Sequence, residues 1–342
     1  MDRGALRRRQ TNAGPAFVSV KILYVNQDVG IDWCGHSGGA THIQSIIRAM
    51  MRRGHTVHIL VRRLPQKETP VDLRIPRYDD PAQVPWDFFD LVYERYSLWG
   101  DLSLSHLIPW QLEINAPLVQ EQLRFRTAID APKATALKDA VCRRVDRILV
   151  VSDELRSYVP PEAHAKIVMV PNGVDRRRFF PLAQPSRFAF GYVGSMRPWH
   201  DLETALRAFV QLSPQFPHVA FHVVGSGPKE TAYRSTFRHA QIFFHGLQPP
   251  TEVPRALAVI SCGIAPFIPD TPRYFSPLKI GEYLASHRTV VTHPCFAKIP
   301  LVTVGAVGLE ATCLAMEQQI HLDRSTLRFP TIPDWEDCLF LT

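Results

Sequence analysis

Val18-Ser-Val-Lys-Ile-Leu-Tyr-Val25, then Gly30-Ile-Asp-Trp-Cys-Gly35-His-Ser-Gly38-Gly39-Ala40-Thr41-His42, then Thr56-Val-His-Ile-Leu-Val61: this opening decides the fold. The first piece is an apolar run stopped by Asn26-Gln27-Asp28, which reads as a buried strand entering a loop. After the loop, Ile43, Ile46, Ile47, Met50 and Met51 recur with helical spacing, and Gly54 stands where a residue closing the helix belongs. The third piece is a second strand. A strand, a helix and a strand in that order imply a parallel pair with a crossover.

Outward from there, further strands are expected over 91–93, 112–114, 147–151 and 167–170, so the sheet is doubly wound. Pro171-Asn-Gly-Val174 is a turn signal, and Pro181-Leu-Ala-Gln-Pro185 is a proline-punctuated connector of the kind that separates domains. A boundary near 183 gives one domain over 1–183 and a second over 184–342. Beyond it the same grammar restarts. A strand over 188–193 leads to a loop at Gly194, a helix from Asp201 carries Leu202, Ala205, Leu206 and Phe209 on one face, and a strand over 221–224 ends at Gly225-Ser-Gly-Pro228. The expected architecture is α/β, two doubly wound Rossmann-like domains in series.

The chain has 342 residues, 46% of them hydrophobic, enough for two such domains. No run approaches the roughly 18 apolar residues a spanning helix needs; the richest, 259–268, is interrupted by Ser261 and Gly263. The basic residues 1–9 lead into Thr11-Asn12-Ala13-Gly14-Pro15 and not into an apolar segment, so no secretory signal is expected. Six scattered cysteines without a CxxC pair suit a reducing compartment. The expected address is the cytosol, with a peripheral position at the inner membrane face as a variant. A net charge of +7 suits anionic partners. A basic stripe with interleaved aromatics is not visible, which disfavours nucleic acid.

Three stretches carry chemistry. In Phe275-Ser-Pro-Leu-Lys-Ile-Gly-Glu282-Tyr-Leu-Ala285, Ser276 suits a helix N-cap and Pro277 the first helical position, while Phe275 and Ile280 have the spacing of a hydrophobic staple. Such a start, with free N–H groups and the positive dipole end, is an anion site. Lys279 in its first turn suits a bound anion, and Glu282 on the same face suits ribose hydroxyls. The alternative is a solvated Lys/Glu pair. Gly38-Gly39, where the second opening piece meets the helix, would let a backbone approach a phosphate or sugar, or merely allow tight packing; the pattern is neither GxGxxG nor a P-loop. Gly194-Ser195-Met196-Arg197-Pro198-Trp199-His200-Asp201 is the equivalent loop of the second domain, and Arg197 offers a fork of donors for phosphate oxygens.

These residues carry a resemblance. Gly38-Gly39-Ala40, Arg52-Arg53-Gly54-His55-Thr56-Val57, Val170-Pro-Asn-Gly-Val-Asp175 with Phe180-Pro181, Gly191-Tyr-Val-Gly194, Val223-Val-Gly225-Ser-Gly227 and Ser276-Pro-Leu-Lys-Ile-Gly-Glu282-Tyr together resemble the retaining glycosyltransferases of family four, which have the GT-B fold. The resemblance spans about residues 19 to 293. It implies two Rossmann-like domains facing across a cleft, 1–183 acceptor-side and 184–342 nucleotide-sugar-binding, with a nucleotide diphosphate sugar as co-substrate and no cofactor or metal. It further implies hexosyl transfer with retention from UDP- or GDP-sugar to a saccharide or lipid-linked acceptor. Glu282 matches the second acidic residue of the family's Glu-x7-Glu motif, which holds the ribose, and Gly39 its glycine-rich loop. Donor contacts are then expected from Gly38, Gly39, Gly194, Ser195, Arg197, Gly225, Ser276, Pro277, Leu278, Lys279 and Glu282, and catalytic roles for Asn115, Arg197 and Lys279. The acceptor-side candidates are His42, Glu94 and Asn115; Glu94-Arg95-Tyr96 ends the 91–93 strand and would line that side, the alternative being a structural Arg/Glu pair.

There are departures. The first acidic position of Glu-x7-Glu is Tyr274, the phosphate loop has Ser195 and His200 where many members carry cations, and a histidine that faces the reacting sugar aligns with Asn115. Residues 296–342 lack the family's closing pattern, so the second domain is expected to be truncated or altered after about 295. Arg143-Arg144 with Arg147, and Arg176-Arg177-Arg178, fit a membrane surface holding a lipid-linked acceptor, though solvated charge is the simpler reading. A catalytically impaired nucleotide-sugar binder and a nucleotide-sugar epimerase are the rival readings.

Overall fold

The computed structural model describes residues 19–98, 108–125, 129–197, 199–271, 274, 276–299 and 302–341. The basic residues 1–9 and the stretch 11–15 lie outside them, as do Val18, Pro198 and Phe275.

Seven parallel strands form the first sheet: β1 (Lys21–Asn26), β2 (Thr56–Val61), β3 (Arg77–Tyr78), β4 (Leu91–Arg95), β5 (Trp110–Ile114), β6 (Arg147–Val150) and β7 (Ile167–Met169), in the order β3-β2-β1-β4-β5-β6-β7. Helices α1 (Gly38–Arg52), α2 (Leu118–Phe125) and α3 (Ala131–Arg144) belong to this half. Six parallel strands form the second: β8 (Ala189–Val193), β9 (Ala220–Val224), β10 (Ile242–Gly246), β11 (Cys262–Ala265), β12 (Thr289–Thr292) and β13 (Thr303–Gly305), in the order β10-β9-β8-β11-β12-β13. With them go α4 (Leu202–Leu212), α5 (Glu230–Thr236), α6 (Val253–Ala258), α7 (Leu278–Ala285) and α8 (Leu309–His321).

The direction in which the chain adds successive strands reverses between β1 and β4 and again between β8 and β11. Crevices open at such switch points, beyond the carboxyl ends of the strands. The loops after β1 and β4 therefore border one crevice, and those after β8 and β11 the other.

The apolar periodicity of α1 does the work expected of it: Ile43, Ile46, Ile47 and Met50 are buried against Ile22 and Tyr24 of β1. Ser37 accepts from the Ala40 N–H at the helix start, and Gly54 beyond its end adopts φ +83°. Asp201 likewise caps α4 by accepting from the Thr204 N–H. Tyr283 of α7 donates its hydroxyl to the Gly191 carbonyl and accepts from the Val193 N–H, which pins that helix to β8.

Two expectations about the second half need correction. The α/β unit does not stop near 295: β13 extends the sheet beside β12, and α8 packs its Ala315 and Met316 into the α4 core. The buried face of α8 also carries Thr312 and Gln319, so its apolar pattern is broken in the sequence. Nor do the last residues of 184–342 stay with the second sheet. Trp335, Cys338 and Leu339 join the core of the first, and Val174 pairs with Asp334 in an isolated parallel bridge. Arg52 of α1 meets Asp175 at 3.2 Å and Glu336 at 3.7 Å, tying the returning segment down. We propose a domain boundary near 183, in the stretch between β7 and β8.

Candidate active site

Between the two switch points lies a cleft of about 950 Å³ with walls from both halves. Of the residues singled out from sequence, Gly38, Gly39, His42 and Asn115 line it on the first-domain side. Gly194, Ser195, Arg197, Gly225, Ser276 and Pro277 line it on the second. Leu278, Lys279 and Glu282 complete that wall. Glu94 does not line it.

The second-domain wall rests on two loops that pass backbone to backbone. Gly194 donates to the Val224 carbonyl at 2.9 Å, and Met196 to that of Ser226 at 3.1 Å. Gly225 adopts φ +128°, and a Cβ there would stand 2.1 Å from the Gly194 carbonyl oxygen. Only glycine meets both demands. A Cβ on Gly194, at φ +142°, would meet Lys279 Nζ at 3.0 Å, so the bare backbone of the β8 loop is what admits the lysine from α7.

Lys279 Nζ sits 4.2 Å from the centroid of the Tyr192 ring, is closed off from solvent, and has no hydrogen-bond partner among the described residues. Burial lowers its pKa from 10.5 to about 7, with Glu282 opposing the shift. Burial raises that of Glu282 from 4.5 to about 7, opposed by Arg178 and Lys279. A desolvated cation without a hydrogen bond is costly, and an anion in the cleft would relieve it. His200 supplies no charge: burial, with Lys279 and Arg197 nearby, holds its pKa down to about 2. Its Nδ1 lies 2.9 Å from the Tyr192 hydroxyl and 2.6 Å from the Ser195 carbonyl.

The helix start differs from the sequence expectation. α7 begins at Leu278, Pro277 occupies the cap position without a side-chain cap, and Ser276 is not the N-cap. The Ser276 carbonyl instead accepts from Asn172 Nδ2 at 3.0 Å, a bond from the interdomain turn. Lys279 still falls in the first turn. Of the basic run at 176–178, Arg177 pairs with Glu336 on the surface, whereas Arg178 lines the cleft and donates to the Pro250 carbonyl. Arg143 pairs with Glu162 in an exposed bridge.

On the first-domain wall the candidate Glu94 needs correcting. Its carboxylate is buried, accepting from Gln27 Nε2 and Trp110 Nε1 at 2.9 Å each. Alternation along β4 turns the neighbouring Arg95 into the cleft instead. Arg95 Nη1 donates to Asn115 Oδ1 and lies 3.1 Å from His42 Nδ1, and His42 Nε2 lies 3.2 Å from Glu113. The ring of Trp335, from the returning segment, meets His42 edge-on at 5.2 Å. Sequence reading missed Glu113 and took Arg178 only as part of a basic run at a membrane surface or in solvent. Nothing in their spacing marks a place in the cleft, because each is defined by what faces it across the fold.

Tyr274 turns away from the donor side. Its hydroxyl donates to Glu121 of α2 at 2.9 Å and its carbonyl accepts from Ser152, both in the first domain. Beside it Arg124 of α2 pairs with Asp270. Position 274 thus serves as a tie between the halves.

Among the described residues no group of three or more His, Cys, Asp and Glu side chains is placed to hold a metal ion, and no helix is long and apolar enough to cross a membrane.

Known proteins resemble parts or all of this architecture. Residues 187–316 match the family model described as Glycosyl transferases group 1. The putative teichuronic acid biosynthesis glycosyltransferase TuaH of Bacillus subtilis is 28% identical over 167 residues. That stretch is 44% of this chain and 41% of the relative, so the match spans less than half the length of either. Sucrose-phosphate synthase from Thermosynechococcus elongatus superposes with a TM-score of 0.64 at 15% identity, over 88% of this chain and 90% of that one. Anabaena HepE in complex with UDP gives 0.64 at 14% identity, with the same coverage. The architecture is the GT-B fold.

Proposed function

We propose that this chain transfers a hexose from a UDP- or GDP-linked donor to a saccharide or glycolipid hydroxyl, with retention at the anomeric carbon and without a required metal. The observation that carries the reading is Lys279: a desolvated amine with no hydrogen-bond partner among the described residues, in the first turn of a helix and facing the glycine loops of β8 and β9. A pyrophosphate is the partner such a group fits. The solved HepE structure that shares the fold contains UDP, which agrees with this.

In this reading Lys279, Arg197 and the N–H groups at the α7 start hold the diphosphate, and Glu282 accepts the ribose hydroxyls. The bond from the anomeric carbon to the phosphate oxygen breaks, the acceptor oxygen bonds to that carbon, and the acceptor's proton passes to the departing diphosphate. The negative charge gathered on that leaving group is what the cations stabilise. The Gly38-Gly39 backbone at the α1 start closes the site from the acceptor side, and exclusion of water suppresses donor hydrolysis.

A second reading, nucleotide-sugar binding without transfer, is favoured by Tyr274, which is engaged with Glu121 and leaves its family role unfilled. Both readings are tested together. UDP, GDP and their sugars are screened for stabilisation of the fold, and the best donor is then incubated with oligosaccharide acceptors. Glycosylated product supports transfer, stabilisation without product supports the second reading, and stabilisation by none of them defeats both.

A further inference from the structure

Arg95 is a cation on the cleft wall to which the donor reading gives no task. It ends β4 at the first switch point, opposite Lys279 and Arg197, with its side chain 14% exposed. Its polar contacts among the described residues converge on one nitrogen. Nη1 donates to Asn115 Oδ1, lies 3.1 Å from His42 Nδ1 and stands 3.9 Å from a Glu113 oxygen.

Arginine can only donate, so His42 Nδ1 accepts and the ring's proton sits on Nε2, directed at Glu113 3.2 Å away. His42 therefore has both nitrogens engaged and serves to position Arg95. Glu113 lies behind, with its side chain 3% exposed. The guanidinium's Nε and Nη2 have no partner among the described residues, and neither is among the buried atoms shut off from solvent. A held arginine with that edge free is the fork that takes a carboxylate or phosphate through two parallel bonds.

We propose that Arg95, positioned by His42 and Asn115, binds an oxyanion substituent, carboxylate or phosphate, of a saccharide lying against the first-domain wall. The proposal rests on the nucleotide-sugar reading of the cleft and extends it to an anionic class of substrate. A neutral sugar would need no more than the Asn115 amide, whereas a guanidinium kept largely from water gains most from an anion.

The saccharide with the charge can be the acceptor or the transferred sugar, and two arms of one experiment separate them. In the first, the full chain saturated with UDP or GDP is titrated with methyl glucoside, methyl glucuronide and glucose 6-phosphate, and binding is followed by NMR. In the second, UDP-glucose and UDP-glucuronate are compared by calorimetry. The expected result is a preference of about tenfold or more for the charged ligand in one arm, which identifies its source. Arg95→Gln abolishes the preference, Arg95→Lys keeps part of it, and His42→Gln weakens it, while UDP affinity stays unchanged in all three and shows that they fold. No preference in either arm, a preference that survives Arg95→Gln, or loss of UDP affinity in that variant would overturn the proposal. Failure of UDP and GDP to bind the native chain would defeat the underlying reading instead; the three sugars titrated alone would still decide the role of Arg95.

Discussion

Lys279 Nζ stands 4.2 Å from the centre of the Tyr192 ring, a contact made across the gap that Gly194 leaves open. The lysine comes from α7 and the ring from β8, so a cation from one element fills the place beside Gly194, ahead of the loop's own Arg197.

Replacing that lysine separates binding from stability. Lys279→Met keeps the stem's volume and removes a desolvated charge, and such exchanges are often neutral or stabilising. The melting temperature of the unliganded variant should hold or rise, while UDP or GDP affinity falls by about tenfold or more, equivalent to about 1.4 kcal/mol. Thermal denaturation and calorimetry on the same samples check both halves.

The pH dependence follows from the two shifted groups. Lys279 is lowered from 10.5 to about 7, so between those values the unfolded chain binds the extra proton and stability rises with pH. Glu282 is raised from 4.5 to about 7, so there the native chain binds the extra proton and stability falls as pH rises. The pair's contribution is least favourable near pH 7. Denaturation across pH 5 to 9 should show Glu282→Gln losing the acid-side slope and Lys279→Met the alkaline one. A bound diphosphate favours the ammonium, so binding at pH 8 should take up protons, read as a buffer-dependent heat that Lys279→Met lacks.

Glycine substitutions divide by location. Gly225→Ala drives a Cβ into the Gly194 carbonyl at a positive φ, and it should lower the melting temperature and nucleotide affinity together. Nothing lies within 4 Å of a Cβ on Gly38, so Gly38→Ala should leave stability intact and weaken only ligands that reach the α1 start. Comparing the two variants by melting and by titration distinguishes scaffold from contact.

Tyr274→Phe removes the hydroxyl from Glu121 and leaves that carboxylate short of a donor, at a cost of about 1 kcal/mol. Tyr274→Glu places two carboxylates together and should cost more. Neither change should improve donor affinity, because the side chain faces the first domain. Small-angle scattering would register any opening of the two halves.

The strand-helix-strand grammar was legible wherever apolar period and capping agreed, as in α1 with Ser37 and Gly54 or α4 with Asp201. It was not legible for β11, whose Cys262-Gly-Ile-Ala265 stood out in the sequence only as an apolar run, nor for α8, whose buried face carries Thr312 and Gln319. The returning segment could not be read because Trp335 and Leu339 pack on strands some three hundred residues away. At the site, Lys279 and Glu282 were found through helical spacing. Glu94-Arg95-Tyr96 shows the limit: the stretch was marked, but Glu94 was taken from it where Arg95 faces the cleft, since a one-residue difference in a strand is a difference of face.

The most direct test of the diphosphate site is calorimetry of UDP and GDP with the native chain and with Lys279→Met at pH 6.5. One nucleotide should bind at one site per chain and bind the variant about tenfold or more weakly. Equal affinities, or no heat with either nucleotide, would contradict the account.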